Sequence, residues 1–195
     1  VTFLLSMQNS NGGWAAFEKN TDLELLTYLP LENAKDAAID PSTADLTGRA
    51  LEFLGNYAGL TLNHPSVKAG VNWLLNNQES NGSWYGRWGV CYIYGTWAAV
   101  TGLVAVGVSP TFPAIKKAIK WLESIQLDDG GWGESCSSCE KKQYVPLHFS
   151  TPSQTAWALD TLIQANYKKR ESVQKGIAFL LNKPYNNESS TYPTG

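Results

Sequence analysis

The sequence predicts an all-α fold made of paired inner and outer helices. Three observations support this prediction: apolar residues recur at helical spacing, a short motif recurs three times, and a second helical pattern with little charge follows each copy. Because a repeat of this size must bury its apolar face against a neighbour, the repeats are expected to stack around a shared core.

The repeated motif, called here the Gln–Trp motif, has the form Gln-x-x-(Asn/Asp)-Gly-x-Trp. Its copies occupy residues 8–14, 78–84 and 126–132. Each copy closes an apolar helical pattern, and Gly readily adopts the positive φ that follows many helix C-termini. The motif is therefore predicted to be a helix end and a turn, after which the Trp begins the next packed layer.

The helical patterns before the three motifs are predicted to be outer helices. They cover residues 1–7, 67–77 and 115–125. Polar side chains such as Lys68, Lys116 and Lys120 recur there beside an apolar stripe, as is typical of a helix with one face in solvent. A fourth outer helix is predicted over residues 173–181, and neither the Gln nor the Trp of the motif follows it.

The helical patterns after the motifs are predicted to be inner helices. They cover residues 45–57, 94–106 and 154–164. Ser and Thr residues such as Ser42 and Thr151 precede them and are good helix N-caps. These patterns are rich in Ala, Gly, Leu and Trp and poor in charge, so they are expected to be covered on more than one face.

Length and composition indicate one helical domain with a large core. The chain has 195 residues, of which 43% are hydrophobic and 12% aromatic. Its net charge is only -2 and Lys and Arg do not cluster, which argues against nucleic acid as a partner. No apolar run reaches membrane-spanning length, and no signal peptide is visible. Because the sequence starts at Val1 inside a helical pattern, we expect a piece of a longer polypeptide.

The cysteines allow two interpretations. Cys136 and Cys139 form a Cys-x-x-Cys pair, and together with His148 and Cys91 they could supply four zinc ligands. The pair stands alone in a loop, however, without a second pair of ligands at metal-binding spacing, which favours structural or incidental thiols and no metal. An odd number of cysteines without a secretory signal points to a reducing compartment.

Several long motifs in the same order give the chain a specific resemblance to a known family. Besides the Gln–Trp motifs, residues 82–96, 128–134 and 150–159 carry it. The chain resembles the C-terminal third of squalene-hopene cyclases, a family that includes oxidosqualene cyclases and bacterial sesquarterpene cyclases. The resemblance covers essentially the whole chain and fades after about residue 183.

The resemblance implies a fold, a reaction and a location. The fold is an α/α-barrel, or toroid, which needs about six helix pairs; residues 1–195 offer about three and a half, so the barrel is incomplete here. Its apolar cavity would hold a linear polyprene that cyclises through carbocations, without a cofactor. The whole protein would bind the lipid membrane as a peripheral, monotopic protein on the cytoplasmic side. Exposed inner faces also predict self-association, for example as a homodimer.

Aromatic residues are candidates for the cavity wall, because a carbocation needs an environment that excludes water and offers negative charge that is not nucleophilic. The resemblance implies that Trp88, Tyr94, Phe17 and Trp14 line or border the cavity. Each of them also fits an ordinary core position. For Trp14 the core interpretation is preferred, because the Gln–Trp motif already explains it, whereas Trp88 and Tyr94 are assigned to the cavity.

Three further residues are candidates for a network around the catalytic acid. Asp45 and Arg49 are four residues apart and share a helix face, as in an exposed ion pair. The resemblance implies that Asp45 belongs to that network and that Arg49 replaces a usual His. Arg cannot relay a proton, so it would orient a carboxylate or keep it charged, which favours a polyprene other than squalene. Cys91 matches a cysteine that hydrogen-bonds the acid in oxidosqualene cyclases; it also fits a small buried thiol.

The proton donor itself is absent from the sequence. The family uses the central Asp of an Asp-x-Asp-Asp motif, or a related motif, upstream of the region matched here, whereas Asp128 and Asp129 belong to a Gln–Trp motif. Two alternatives remain open: a zinc-dependent prenyltransferase-like toroid, which needs an Asp, Cys and His ligand set, and a non-catalytic interaction toroid. The apolar residues 25–31 either border a substrate channel or pack on the barrel.

Overall fold

A computed structural model describes residues 1–22, 39–168 and 170–182. Across these residues the chain forms eight helices and no strand longer than an isolated bridge. The helices are α1 (Thr2–Ser6), α2 (Ala44–Asn56), α3 (Pro65–Asn76), α4 (Cys91–Ala105), α5 (Pro113–Ser124), α6 (Ser137–Lys141), α7 (Pro152–Gln164) and α8 (Glu171–Asn182). The all-α prediction is confirmed. Residues 25–31, discussed above as a channel border, lie outside the described residues.

The inner layer consists of α2, α4 and α7, and the outer layer of α3, α5 and α8. Each inner helix contacts the outer helix that follows it in the chain, and α4 packs between α2 and α7. Helix α4 has buried residues on every side, whereas α5 keeps Lys116, Lys117 and Lys120 exposed. The predicted division into inner and outer helices is therefore confirmed.

Small residues allow α2 and α4 to approach closely. A Cβ atom added to Gly48 would lie 2.2 Å from the carbonyl oxygen of Ala98, and one added to Gly102 would lie 2.3 Å from the carbonyl oxygen of Gly48. Such distances leave no space for a side chain at either position. The Gly and Ala content of the predicted inner helices thus sets the spacing between their backbones.

Several differences from the predicted helices have local causes. Helices α3 and α5 begin two residues early, because Pro65 and Pro113 occupy their first turns, where a missing N–H is tolerated. Helix α4 begins at Cys91 rather than at residue 94, because a distant carboxylate accepts hydrogen bonds from its first N–H groups. Helix α6, in the loop with the Cys-x-x-Cys pair, was not predicted.

Each Gln–Trp motif joins three helices. The Gln side chain donates one hydrogen bond within its own turn and another to the first turn of the next outer helix; in the first copy Gln8 Nε2 lies 2.7 Å from Gly12 O and 2.8 Å from Ser66 O. The Trp14 indole donates to Leu4 O in the preceding helix at 2.8 Å, and its backbone N–H donates to Thr47 Oγ1 of α2 at 2.9 Å. The other copies repeat these contacts.

The turn glycines of the motifs have the predicted conformation. Gly12, Gly82 and Gly130 have φ angles of 95°, 99° and 89°. Their Cα atoms also press against the next outer helix, since a Cβ atom at any of the three would lie 2.7 Å from a backbone carbonyl oxygen. Glycine is therefore required here both for conformation and for space.

Candidate active site

Three aromatic side chains from two inner helices form a cluster, called here the aromatic cluster, which consists of Tyr94, Trp97 and Trp157. The ring centroid of Tyr94 lies 5.4 Å from that of Trp97 and 4.9 Å from that of Trp157. The Trp97 and Trp157 indoles are stacked, with 6.1 Å between their ring centroids. All three are half-buried. The Trp97 indole donates to Asp160 Oδ2 at 2.8 Å, which fixes its ring relative to α7.

The aromatic cluster extends the site beyond the predicted residues. Tyr94 was predicted for the cavity wall, but Trp97 and Trp157 were not singled out. A signal for Trp97 existed, because it follows Tyr94 by three residues and so shares its helix face. Trp157 occupies the next inner helix, and its meeting with Trp97 depends on how α4 and α7 pack.

A second aromatic pair consists of Phe17 and Trp88. Their ring centroids are 5.4 Å apart with the planes at 89°, an edge-to-face contact. Both rings remain largely exposed, at 73% for Phe17 and 52% for Trp88. These values differ sharply from the 2% of Trp14, whose indole is bound in the core. The structure therefore favours packing as the role of Trp14, while Phe17 and Trp88 remain accessible.

Buried carboxylates hold the backbone on both sides of this pair. Asp40 accepts hydrogen bonds from the N–H groups of Ala16, Phe17 and Glu18 at 3.1, 2.6 and 2.7 Å. Asp45, which is fully buried at the start of α2, accepts from the N–H of Trp88 at 2.8 Å. Hydrogen bonds from N–H groups to a carboxylate are among the stronger ones in proteins. Both aromatic side chains thus project from segments that are anchored through their backbones.

Arg49 forms its ion pair with Glu52 and not with Asp45. Its guanidinium forms an ion pair with Glu52, one turn along α2, while Asp45 serves backbone N–H groups. The guanidinium also lies over the Trp97 ring, 4.8 Å from its centroid. The alternative interpretation of Asp45 and Arg49 as an exposed ion pair does not hold, because Asp45 is buried whereas Arg49 extends along the open side of the helix.

The pKa of Tyr94 is affected by burial and by the charges of Asp45 and Arg49. Burial raises the pKa of Tyr94 above its ordinary value of 10.0; the negative charge of Asp45 raises it further, and the positive charge of Arg49 opposes this. Asp45, Arg49 and Tyr94 are therefore close enough to influence one another. The predicted network residues Asp45 and Arg49 thus adjoin one member of the aromatic cluster.

Cys91 forms a disulfide bond with Cys139. The prediction of thiols at these two positions is wrong, and Cys91 carries no S–H that could donate a hydrogen bond. The bond joins the first residue of α4 to α6, whose contact the sequence does not reveal. Cys136 is an exposed free thiol. Because disulfides are rare in reducing compartments, the odd number of cysteines does not by itself indicate one.

Glu134 is the main residue that sequence reasoning missed. It is fully buried, and its carboxylate accepts hydrogen bonds from the N–H groups of Cys91, Tyr92 and Ile93 in the first turn of α4. Burial raises the pKa of Glu134 above its ordinary value, although these N–H groups and the Ser138 hydroxyl oppose the shift. An acidic residue two positions after a Gln–Trp motif was the available signal.

Neither a metal centre nor a membrane-spanning helix is found in the described part of the chain. Within residues 1–22, 39–168 and 170–182, no three His, Cys, Asp or Glu side chains are grouped so that they could hold a metal ion. Over the same ranges, no helix combines the length and the apolar character needed to cross a bilayer.

Comparisons with known proteins identify the family. The family model of the squalene-hopene cyclase C-terminal domain matches residues 1–192. Sporulenol synthase from Bacillus subtilis (strain 168) is 60% identical over 100% of this chain and 31% of its own length. The squalene–hopene cyclase of Alicyclobacillus acidocaldarius is 42% identical over 99% of this chain, and cycloartenol synthase from Dictyostelium discoideum is 39% identical over 96%.

A solved structure supports the fold. The ent-copalyl diphosphate synthase from Streptomyces platensis superposes with a TM-score of 0.58 at 21% sequence identity, over 78% of this chain and 28% of its own. The chain spans about a third of the length of the curated relatives that it matches, such as 31% of the sporulenol synthase. The repeated motifs, the two helical layers and the family model agree, and the chain belongs to the squalene-hopene cyclase family as its C-terminal domain.

Proposed function

We propose that the whole protein cyclises a linear polyprene through a proton-initiated carbocation cascade, with this chain supplying part of the cavity wall. The proton donor would be the Asp-x-Asp-Asp acid that the family carries upstream of this region. The observation that carries the proposal is the position of Arg49, whose cationic guanidinium lies 4.8 Å over the ring of Trp97. The Trp97 ring of the aromatic cluster thus faces a cationic group, as it would face a carbocation.

The two aromatic groups have the chemistry that the cascade needs. Each aromatic face contributes on the order of 0.5 to 2 kcal/mol to a nearby cation, with the larger values where water is excluded. The Phe17–Trp88 pair and the aromatic cluster together offer five such rings on anchored segments. Aromatic rings do not capture a carbocation as water or a carboxylate would, so they stabilise the intermediate without ending the cascade.

Asp45 and Arg49 are proposed to orient the catalytic acid, which lies outside this chain, and to set the electrostatic potential around it. Asp45 is buried and bound to the backbone of Trp88, so it is well held for such a role. Arg49 cannot relay a proton, and its function would be electrostatic. Cys91 would contribute through its disulfide bond, by fixing the start of α4 next to Tyr94, rather than through a thiol.

The substrate is proposed to be a long polyprene that leads to a sporulenol-type product. This chain shares 60% of its residues with a protein named sporulenol synthase and 42% with one named squalene–hopene cyclase. The Arg49 substitution points in the same direction. Because long polyprenes partition into membranes, the protein is proposed to be peripheral and monotopic on the cytoplasmic side of the cell membrane. A homodimer is proposed as its oligomeric state.

Product analysis of the full-length protein tests these proposals. Purified enzyme is incubated in detergent with squalene and, separately, with other long polyprenes, and the products are identified by gas chromatography and mass spectrometry. Polycyclic products are expected, with the highest turnover on a polyprene other than squalene. The matched control replaces the central Asp of the upstream motif with Asn and should abolish conversion. A wild-type enzyme that cyclises none of the polyprenes would refute the proposed function.

A further inference from the structure

We infer that Glu134 is a positioning residue that couples two inner helices and thereby sets the geometry of the aromatic cluster. The inference rests on the proposed function for its catalytic consequence. Its structural part, the coupling of α4 to α7 through one residue, stands on the contacts alone. Glu134 itself lies outside both helices, between the third Gln–Trp motif and α6.

The carboxylate of Glu134 holds the start of α4. Its Oε2 atom lies 3.0 Å from the N–H nitrogens of Cys91 and Tyr92 and 2.9 Å from that of Ile93, and its Oε1 atom lies 3.0 Å from the nitrogen of Tyr92. The first N–H groups of a helix have no partner within the helix and carry its positive partial charge. A buried carboxylate satisfies both requirements at once, and no water is needed at this helix end.

The backbone of the same residue holds the start of α7. The Glu134 N–H donates to Gln154 Oε1, and Gln154 Nε2 donates to the Glu134 carbonyl at 3.0 Å. Gln154 is buried in the first turn of α7, where its own N–H binds the capping hydroxyl of Thr151. Glu134 therefore bonds through its side chain to one inner helix and through its main chain to the next.

The aromatic cluster lies immediately after both attachment points. Tyr94 directly follows Ile93, and Trp157 is three residues after Gln154. Their rings meet edge to face at 4.9 Å, although they belong to different helices. Any slip of α4 along α7 would change this distance, and the attraction between a cation and a ring requires close approach. Positioning errors of about 1 Å can cost roughly a hundredfold in rate.

The experiment compares Glu134→Ala, Glu134→Gln and Gln126→Leu in the full-length enzyme. Glu134→Gln keeps the side-chain length and one acceptor oxygen for α4. Gln126→Leu is the matched control, because the Gln126 side chain also makes two part-buried hydrogen bonds, to Gly130 O and Ser172 O, but joins only its own turn and the outer helix α8. Amide hydrogen exchange measures the coupling without substrate, and product analysis measures its consequence.

We expect Glu134→Ala to lose exchange protection in the first turns of both α4 and α7. We also expect its kcat to fall on the order of tenfold or more with a smaller change in KM, and the share of incompletely cyclised products to rise. Glu134→Gln should restore most of the protection and of the product pattern, and Gln126→Leu should change neither.

Loss of protection in α4 alone, or a wild-type product pattern in a folded Glu134→Ala enzyme, would overturn the inference. If Glu134→Ala does not fold, Glu134→Gln decides: because it lacks the charge and one of the two acceptor oxygens, it should keep most but not all of the protection in the first turns of both helices, and a loss confined to α4 overturns the inference. An enzyme that converts no polyprene refutes the proposed function, whereas the exchange data still test the coupling.

Discussion

At the scale of single residues, buried carboxylates hold the backbone around the site. Asp40, Asp45 and Glu134 are buried, and each accepts hydrogen bonds from backbone N–H groups of a segment that carries an aromatic candidate. A hydrogen bond to a charged group contributes roughly 1.5 to 3 kcal/mol. These side chains therefore anchor the backbone of the segments that carry the candidate aromatic residues.

Trp88 is the residue at which we expect the clearest effect on product. Trp88→Ala in the full-length enzyme should lower cyclisation or release prematurely terminated products, because it removes one exposed aromatic face and leaves Phe17 without its partner. The melting temperature should change little, since the indole is 52% exposed. Gas chromatography of the products provides the measurement.

Phe112→Ala is the matched control for Trp88→Ala. Phe112 is 40% exposed at the start of the outer helix α5, so its removal should leave the product pattern unchanged. Equal effects of the two substitutions, or no effect of Trp88→Ala, would assign Trp88 to packing.

Glu134 should also give the stability a characteristic pH dependence. Burial raises the pKa of Glu134 above its ordinary value of 4.5, so the folded protein retains a proton that the unfolded chain releases. Stability contributed by this group is present below pH 4.5 and is lost as the pH rises from 4.5 through the folded pKa.

Denaturant titrations of wild type and Glu134→Gln from pH 4.5 upward measure this dependence. The unfolding free energy of wild type, relative to that of Glu134→Gln, should fall as the pH rises, because Gln does not titrate. A difference that grows with pH would mean that the N–H groups outweigh burial and that the pKa is lowered.

At the scale of elements, the Gln–Trp motif acts as a three-way junction. Its Trp binds the preceding outer helix and the following inner helix, and its Gln reaches the next outer helix. All three bonds are made from one tight turn, which is possible only because the turn glycine approaches the neighbouring helix without a Cβ atom. Each motif thereby couples the stability of one helix pair to that of the next pair along the chain.

Two glycine substitutions distinguish the loss of stability caused by a strained backbone from the loss caused by a steric clash with a neighbouring helix. Gly82 and Gly107 have nearly equal φ angles of 99° and 96°, but a Cβ atom at Gly82 would lie 2.7 Å from the Lys117 backbone, whereas nothing lies within 4 Å at Gly107. Gly107→Ala should therefore destabilise by only the roughly 1 to 2 kcal/mol of a left-handed residue.

Gly82→Ala should cost clearly more than Gly107→Ala, because α5 must also move away from the turn. Chemical denaturation of the two variants measures the difference. Equal losses of stability would show that the junction tolerates displacement of α5, contrary to the role given to the motif.

At the scale of the whole molecule, the described chain leaves aromatic side chains open to solvent. Phe17, Trp88, Phe53 and Tyr57 are between 41% and 82% exposed, and the first two belong to the candidate site. Exposed apolar surface of this kind usually marks a contact with another chain or segment. The three inner helices account for part of a toroid, in line with the 31% of sporulenol synthase that the chain spans.

The isolated chain is expected to be inactive and to self-associate. Residues 1–195 hold no Asp-x-Asp-Asp motif, and an unactivated alkene does not ionise without a positioned proton donor. Size-exclusion chromatography should show dimers or larger assemblies, and gas chromatography should show no product from squalene or other polyprenes.

Supplying the upstream segment that carries the motif is expected to restore turnover. Cyclisation by purified residues 1–195 alone would mean that the catalytic acid lies within them. A monodisperse monomer would mean that the exposed aromatic side chains do not cause self-association.

The sequence by itself determined the helical class, the three repeats, the two layers and the family. These features depend on local patterns: apolar periodicity, helix caps, and a glycine with positive φ in the turn of each Gln–Trp motif. The candidate residues Trp88, Tyr94 and Phe17 came from the resemblance to the family, and their exposure or half-burial is compatible with a cavity wall. Their roles stay predictions until the variants are measured.

Only the tertiary structure decided the partners within the site. The Cys91–Cys139 bond joins residues 48 apart, the Glu134 carboxylate reaches Cys91 across 43, and the Trp97 indole reaches Asp160 across 63. Each contact depends on the angle and register at which α4 packs against its neighbours. Local patterns identify which faces of a helix are buried, but the residue met on the other side is set by the packing of whole helices.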